Sequence, residues 1–252
     1  MTALDGYSVL ITGAAEGLGR GIALAAASAD AGVTVTAPDA GQAETVAAEI
    51  RAKGGKAIGA RCDVTRKVEI EAATRAAIAA FGKLDCFVHN ANDSGAGARA
   101  VEDMRDEHWL PSVAVGLRPI FYVAKSVLPE LVRAQGSLIV LTSPAGIDGT
   151  ATLPVYSTVK GAQRGLVKAL AREWGPLGVR VNALSPSAVT PALIAYLERE
   201  PHMRPHMVKR AALRRMGDPE LDIGRALNFL IGPDSRFVTG QTLIVSGGAM
   251  ML

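Results

Sequence analysis

Short apolar runs and longer mixed segments alternate along the whole chain. Residues 7–12 (YSVLIT) are rich in β-branched residues and stop at Gly13, the pattern of a buried strand. Residues 17–31 follow with Leu18, Ile22, Leu24 and many alanines, and predict a helix. The alternation continues to the end of the chain. It predicts strands over 33–37, 56–60, 84–89, 137–142, 179–184 and 242–245. Helices are predicted over 42–53, ending at Gly54-Gly55, over 66–81, ending at Gly82, and over 101–134, 155–174 and 219–231. Residues 191–210 read as irregular or helical. Strands that alternate with helices of this length imply βαβ units, hence a parallel sheet covered by helices on both faces. Neither a Pro/Ser-rich linker nor an internal repeat interrupts the rhythm, so residues 1–252 read as one domain.

Composition narrows the class. Of the 252 residues, 49% are hydrophobic and 20% charged, with 27 glycines, which excludes a disordered or collagen-like chain. Two cysteines, Cys62 and Cys86, are too few for a disulfide-dense scaffold. The 27 basic residues exceed the 24 acidic ones by three, too small an excess to make nucleic acid the expected partner. The N-terminal residues lack a basic region and include Asp5, so no signal peptide is expected. No apolar stretch is long enough for a membrane span. The expectation is a soluble cytoplasmic protein. His202 and His206 share a helix face, but the spacing lacks the Glu of a zinc-binding HExxH, and no metal is expected.

Chemistry enters at the first strand–helix junction, Thr12-Gly13-Ala14-Ala15-Glu16-Gly17-Leu18-Gly19. Glycines there let the backbone turn tightly and approach a pyrophosphate, while the helix N-terminus offers free N–H groups. Asp39, 20 residues beyond Gly19, follows the second predicted strand. A carboxylate there accepts the ribose hydroxyls of an adenosine and repels a 2′-phosphate; Glu16 adds negative charge nearby. Arg20 is expected on an outer helix face. The cofactor expected is NAD, with NADP disfavoured.

Tyr156 and Lys160 stand at i, i+4 on one helix face. A free phenol is a poor base at neutral pH; a nearby ammonium and a positive nicotinamide ring are expected to lower its pKa. Ser143 ends the fifth predicted strand, 13 residues before Tyr156, at the edge of the sheet where ligands bind in such folds.

In this order the glycine motif, Asp39, Asp63-Val64, Asn90-Ala91, Ser143, Tyr156 with Lys160, and the segment from Asn182 to Pro186 resemble the short-chain dehydrogenase/reductase superfamily, in its compact branch of about 250 residues. The likeness extends to residues 215–220 and 239–241. It implies a single-domain α/β fold, a Rossmann-type doubly wound parallel sheet of about seven strands. It also implies roles. Gly13, Glu16, Gly17, Leu18, Gly19 and Asp39 would hold the cofactor; Asp63 and Val64 would meet the adenine. Asn90 and Ala91 would run beside the adenosine ribose and the diphosphate, and Val189 and Thr190 would flank the carboxamide. Tyr156 would move the proton, Lys160 would support it and bind the ribose, and Ser143 would orient the substrate. A homo-oligomer, most simply a tetramer, would pair through helices 101–134 and 155–174.

The chain departs from the family pattern at several places. The usual Asn-Asn-Ala-Gly reads His89-Asn90-Ala91-Asn92, which calls for an Asn that tolerates positive φ at 92. Pro-Gly reads Pro186-Ser187, and Ser246 replaces the usual Asp. Gly116 stands where the family has an Asn that organises a proton-relaying water; glycine is expected to leave room for an extra water. Two functions follow. One is an NAD-dependent oxidoreductase acting on a secondary alcohol or ketone. The other is a non-catalytic NAD-binding protein, a sensor or structural subunit, favoured by Gly116. The substrate lining is expected from residues 94–99 and 144–152, and from a lid over 190–212 that carries Leu193, Tyr196, Met203 and Met207. The basic run from Arg199 to Arg215 reads as a solvated face.

Overall fold

The structure is a computed structural model that describes residues 3–93, 97–151 and 153–251. Seven strands form one sheet: β1 (Ser8–Ile11), β2 (Gly32–Ala37), β3 (Lys56–Arg61), β4 (Cys86–His89), β5 (Ser137–Leu141), β6 (Arg180–Pro186) and β7 (Thr242–Val245). Their order is β3-β2-β1-β4-β5-β6-β7 and every pairing is parallel. The expected Rossmann-type architecture is therefore present. The helices are α1 (Gly17–Ala27), α2 (Ala40–Ala52), α3 (Lys67–Phe81), α4 (Asp106–Gly116), α5 (Arg118–Ser126), α6 (Leu128–Ala134), α7 (Ala145–Asp148), α8 (Pro154–Trp174), α9 (Pro191–Arg199), α10 (Met203–Arg210) and α11 (Arg225–Ile231).

Alternate strand residues face opposite sides of the sheet, and each face builds its own core. Val9, Ile11, Val88, Ile139 and Leu141 pack with Ile22, Ile50 and Leu227 on one side. Leu10, Phe87, Leu138 and Val140 pack with Ile70, Ile120, Val167 and Trp174 on the other. This double burial is why the strands read as continuous apolar runs rather than alternating ones.

Two predicted helices are rebuilt. Residues 101–134 hold three α-helices and a 3-10 turn (Val101–Asp103) rather than one long helix. Pro119 and Pro129 each fall in the first turn of a new helix. A proline has no N–H to donate backwards and its ring clashes with the carbonyl four residues earlier, so the preceding helix stops at Gly116 or Ser126. Over 219–231 the first turn, Pro219–Gly224, is π-helical before α11 begins; Asp218 caps it by accepting from the Glu220 and Leu221 N–H groups. Among the described residues no helix is long and apolar enough to cross a membrane.

The sheet order reverses between β1 and β4, which opens a crevice beyond their C-terminal ends. That crevice is the site.

Candidate active site

A cleft of about 980 Å³ runs along the C-terminal ends of the strands. Its floor is the loop between β1 and α1. Gly13 (φ +62°) and Gly17 (φ +54°) hold left-handed conformations, and a Cβ on Gly13 would stand 2.9 Å from the Ala91 Cα. Side chains are thus excluded and the backbone lies bare. The β4 end locks this loop. Asn90 Nδ2 donates to the Thr12 and Gly13 carbonyls at 3.0 and 2.8 Å. Thr12 Oγ1 accepts from the Asn90 and Ala91 N–H groups at 3.0 and 3.1 Å. Helix α1 starts without a side-chain cap, so its first N–H groups remain for a ligand. A bare glycine turn and an uncapped helix end in one cleft fit a dinucleotide diphosphate.

Most of the residues singled out in the sequence meet here. Gly13, Glu16, Gly17, Leu18, Gly19, Asp63, Val64, Asn90, Ala91, Tyr156 and Lys160 line the cleft. Asp63 is held by Thr65, whose N–H and hydroxyl donate to its Oδ1 at 2.9 and 2.7 Å. Arg20 turns away and forms a two-pronged bond to Glu49 at 3.0 and 2.6 Å. Three expected residues are not on the wall itself. Asp39 sits at the rim between Pro38 and Gln42, which do line the cleft; its Oδ1 caps α2 by accepting the Gln42 N–H at 2.8 Å. Val189 gives its N–H to the Gly217 carbonyl at 2.9 Å, and Thr190, Pro191 and Ala192 form that wall instead. Ser143 follows the wall residue Thr142 in the chain.

At the other end, Thr142 Oγ1 donates to the Lys160 carbonyl at 2.9 Å and ties α8 to β5. Ser143 hydrogen-bonds Tyr156. The buried Lys160 Nζ donates to the Leu141 carbonyl at 2.8 Å and stands 5.6 Å from the centre of the Tyr156 ring. Burial raises the Tyr156 phenol, and the Ser143 bond offsets only part of that. Burial also pushes Lys160 down to about 7. The expected lowering of the phenol by Lys160 is thus reversed among the chain's own groups, because desolvation penalises both charged forms.

Two further expectations need correction. Asn92 is not in the positive-φ region, so the turn does not depend on the tolerance of Asn for it; the side chain is exposed on the cleft wall. Nor does Gly116 leave room for a water: a Cβ there would lie 2.6 Å from Val159 Cγ1, which fills the space. The Gly116 carbonyl accepts from Gln163 Nε2 at 2.6 Å and from His89 Nε2 at 3.1 Å. Sequence reasoning passed over Gln163. The available signal was its i, i+7 spacing from Tyr156, which puts a polar amide on the face that carries Tyr156 and Lys160. For the substrate end, Gly97, Ser112, Val115 and Leu153 line the cleft, while residues 94–96 and 152 lie outside the described residues. Leu193, Met203 and Met207 are half-buried and Tyr196 is exposed.

Fold and cleft together define a doubly wound α/β protein of the dinucleotide-binding kind. The family model described as enoyl-(acyl carrier protein) reductase matches residues 13–250. The 7alpha-hydroxysteroid dehydrogenase of Escherichia coli (strain K12) is 34% identical over 249 residues, 98% of this chain and 95% of that protein. Cyclohexanol dehydrogenase of Acinetobacter sp. (strain SE19) is 33% identical, over 94% of this chain and 92% of the other. The solved structure of a 7 alpha-hydroxysteroid dehydrogenase complexed with NADH and 7-oxo glycochenodeoxycholic acid aligns with a TM-score of 0.90 at 34% identity, covering 98% and 95% of the two chains. The chain belongs to the short-chain dehydrogenase/reductase superfamily of NAD(P)-dependent oxidoreductases.

Proposed function

We propose that the protein is an NAD-dependent dehydrogenase or carbonyl reductase that interconverts a small secondary alcohol and its ketone. The observation that carries this reading is that Tyr156 and Lys160 line the cleft that also holds the bare glycine turn, with Ser143 bonded to Tyr156. A nicotinamide held by the glycine turn would supply the hydride acceptor or donor. The chain does the rest. Ser143 and Tyr156 hydrogen-bond the substrate oxygen and hold its carbon in place. On oxidation Tyr156 takes the hydroxyl proton as the C–H hydride leaves; on reduction it gives the proton back to the carbonyl oxygen. Because burial holds the phenol high, the base form needs positive charge beside it. Lys160 and a positive nicotinamide ring are the sources.

Preference for NAD rests on the rim charge. Asp39 uses one oxygen as a helix cap, which leaves the other for a ribose hydroxyl, and Glu16 lines the same cleft. Arg20, the nearest cation on α1, is committed to Glu49. A 2′-phosphate would meet negative charge. Residues 190–212 act as a lid over the substrate, with Leu193, Met203 and Met207 as adaptable apolar contacts. That relatives named for hydroxysteroid and cyclohexanol oxidation are similar over nearly the whole chain supports a secondary carbinol as the reacting group.

The test combines dissociation constants for NAD and NADP with NADH formation across a panel of secondary alcohols. The reading expects tighter NAD binding, a ratio that narrows in Asp39→Ala, and turnover of at least one alcohol. Tighter NADP binding contradicts the cofactor assignment. NAD binding with no turnover across a broad panel favours the non-catalytic alternative.

A further inference from the structure

The Gly116 carbonyl lies at the end of α4, buried against α8. A carbonyl oxygen has two lone pairs, and here both face a donor: Gln163 Nε2 at 2.6 Å and His89 Nε2 at 3.1 Å. Since the carbonyl can only accept, His89 carries its proton on Nε2. Its Nδ1 faces Thr12 Oγ1 at 3.5 Å, in the loop that cradles the cofactor. Gln163 lies on the α8 face that also carries Tyr156 and Lys160, seven and three residues further along the helix. Gln163 Oε1 is buried with no hydrogen-bond partner among the described residues.

We propose that His89 and Gln163 are positioning residues for the Tyr156–Lys160 pair, which they serve by clamping the Gly116 carbonyl between two N–H donors and fixing the end of α4 against the catalytic face of α8. The role rests on the oxidoreductase reading above. The clamp does the work that a side-chain amide at 116 cannot, because Val159 occupies the space where that side chain would start. It also holds Gly116 against Val159, the residue before the buried Lys160. Of the titratable groups on the elements packed around Lys160, Tyr156 on α8 and His89 on β4 face it. Asp148 of α7 is more than half exposed near Arg210, Arg164 of α8 bonds the Gly146 carbonyl, Arg180 of β6 bonds the Leu230 carbonyl, and Asp106 and Glu107 lie at the far end of α4. Burial is what lowers Lys160 to about 7, and burial also keeps His89 neutral, down at about 4. Loss of one donor exposes a carbonyl lone pair, admits water to satisfy it, and relieves the desolvation of Lys160.

The experiment compares wild type with Gln163→Leu, His89→Leu and His89→Gln. It reads kcat, KM for NAD, thermal unfolding, and the titration of Lys160 followed by NMR of its side chain in the protein without added ligand. Gln163→Leu is expected to lose about tenfold or more in kcat because the Tyr156–Lys160 pair loses its position, an effect that outweighs the gain in ammonium charge on Lys160, with KM for NAD and the unfolding midpoint nearly unchanged. Its Lys160 midpoint should rise from about 7 by about half a unit or more. His89→Leu should behave alike, while His89→Gln, which keeps an amide N–H at similar reach, should restore most of the activity. The proposal is overturned if Gln163→Leu leaves kcat and the Lys160 midpoint unchanged. It is equally overturned if kcat falls only in step with lost stability while Lys160 titrates as in wild type. Should wild type bind NAD yet turn over no alcohol, the oxidoreductase reading fails, and the Lys160 titration alone still decides the clamp.

Discussion

His89 shows how a single residue takes its role from its surroundings. In the sequence it is the first letter of a variant Asn-Asn-Ala-Gly segment. In the fold it is fully buried, donates to the Gly116 carbonyl, and is held at about 4 by desolvation and by Lys160. An unfolded histidine titrates near 6.5. Between these two values the unfolded chain binds the extra proton, so this residue makes stability fall as pH drops from about 6.5 to about 4. The full shift corresponds to about 3 kcal/mol. Urea unfolding of wild type and His89→Gln at several pH values checks this: the difference between them should change across that window and be flat above it. A constant difference from pH 7 to pH 4 contradicts the buried, neutral assignment. Tyr156 and Lys160 were legible as neighbours from their i, i+4 spacing and Ser143 from its place at a strand end, while their roles came from the family resemblance. The clamp was not legible, because residues 89, 116 and 163 come from three elements that only the folded sheet assembles.

Among the elements, the strands and most helices were readable because burial on both faces leaves uninterrupted apolar runs with glycines at their ends. The breaks at 117 and 127 were not seen because apolar periodicity runs straight through them, although Pro119 and Pro129 mark them chemically. The contact between α4 and α8 was also hidden: nothing local says that Val159 fills the space beside Gly116. That packing reverses a simple expectation from the sequence. Putting Asn back at 116 should not help, since its Cβ would stand 2.6 Å from Val159 Cγ1. Gly116→Asn is expected to destabilise by about 1–3 kcal/mol through overpacking, and to reduce activity with it. The double variant Gly116→Asn/Val159→Ala should recover much of that loss. Thermal unfolding of the four proteins in this cycle measures the coupling. Additive effects at the two positions would contradict a direct clash.

At the scale of the whole molecule, the cleft occupies one end of the sheet and leaves the helical faces free. On α4 and α5, Leu110 is 61% and Phe121 54% exposed, while α8 presents the small exposed residues Ala162, Gly165 and Ala169. Large apolar side chains beside a helix of small residues suit close pairing between copies. We expect a homo-oligomer, most simply a tetramer, and expect Phe121→Glu to shift it toward smaller species in light scattering; a wild-type monomer at micromolar concentration would contradict this. In the cleft, the proposed chemistry has Tyr156 move the proton while the glycine turn holds the cofactor independently of it. It is tested most directly by alcohol-dependent NADH formation in wild type and Tyr156→Phe, with NAD affinity measured on both. The variant is expected to lose about 10²–10⁴-fold in kcat/KM while its NAD dissociation constant stays nearly the same. Equal turnover by the two proteins would contradict it.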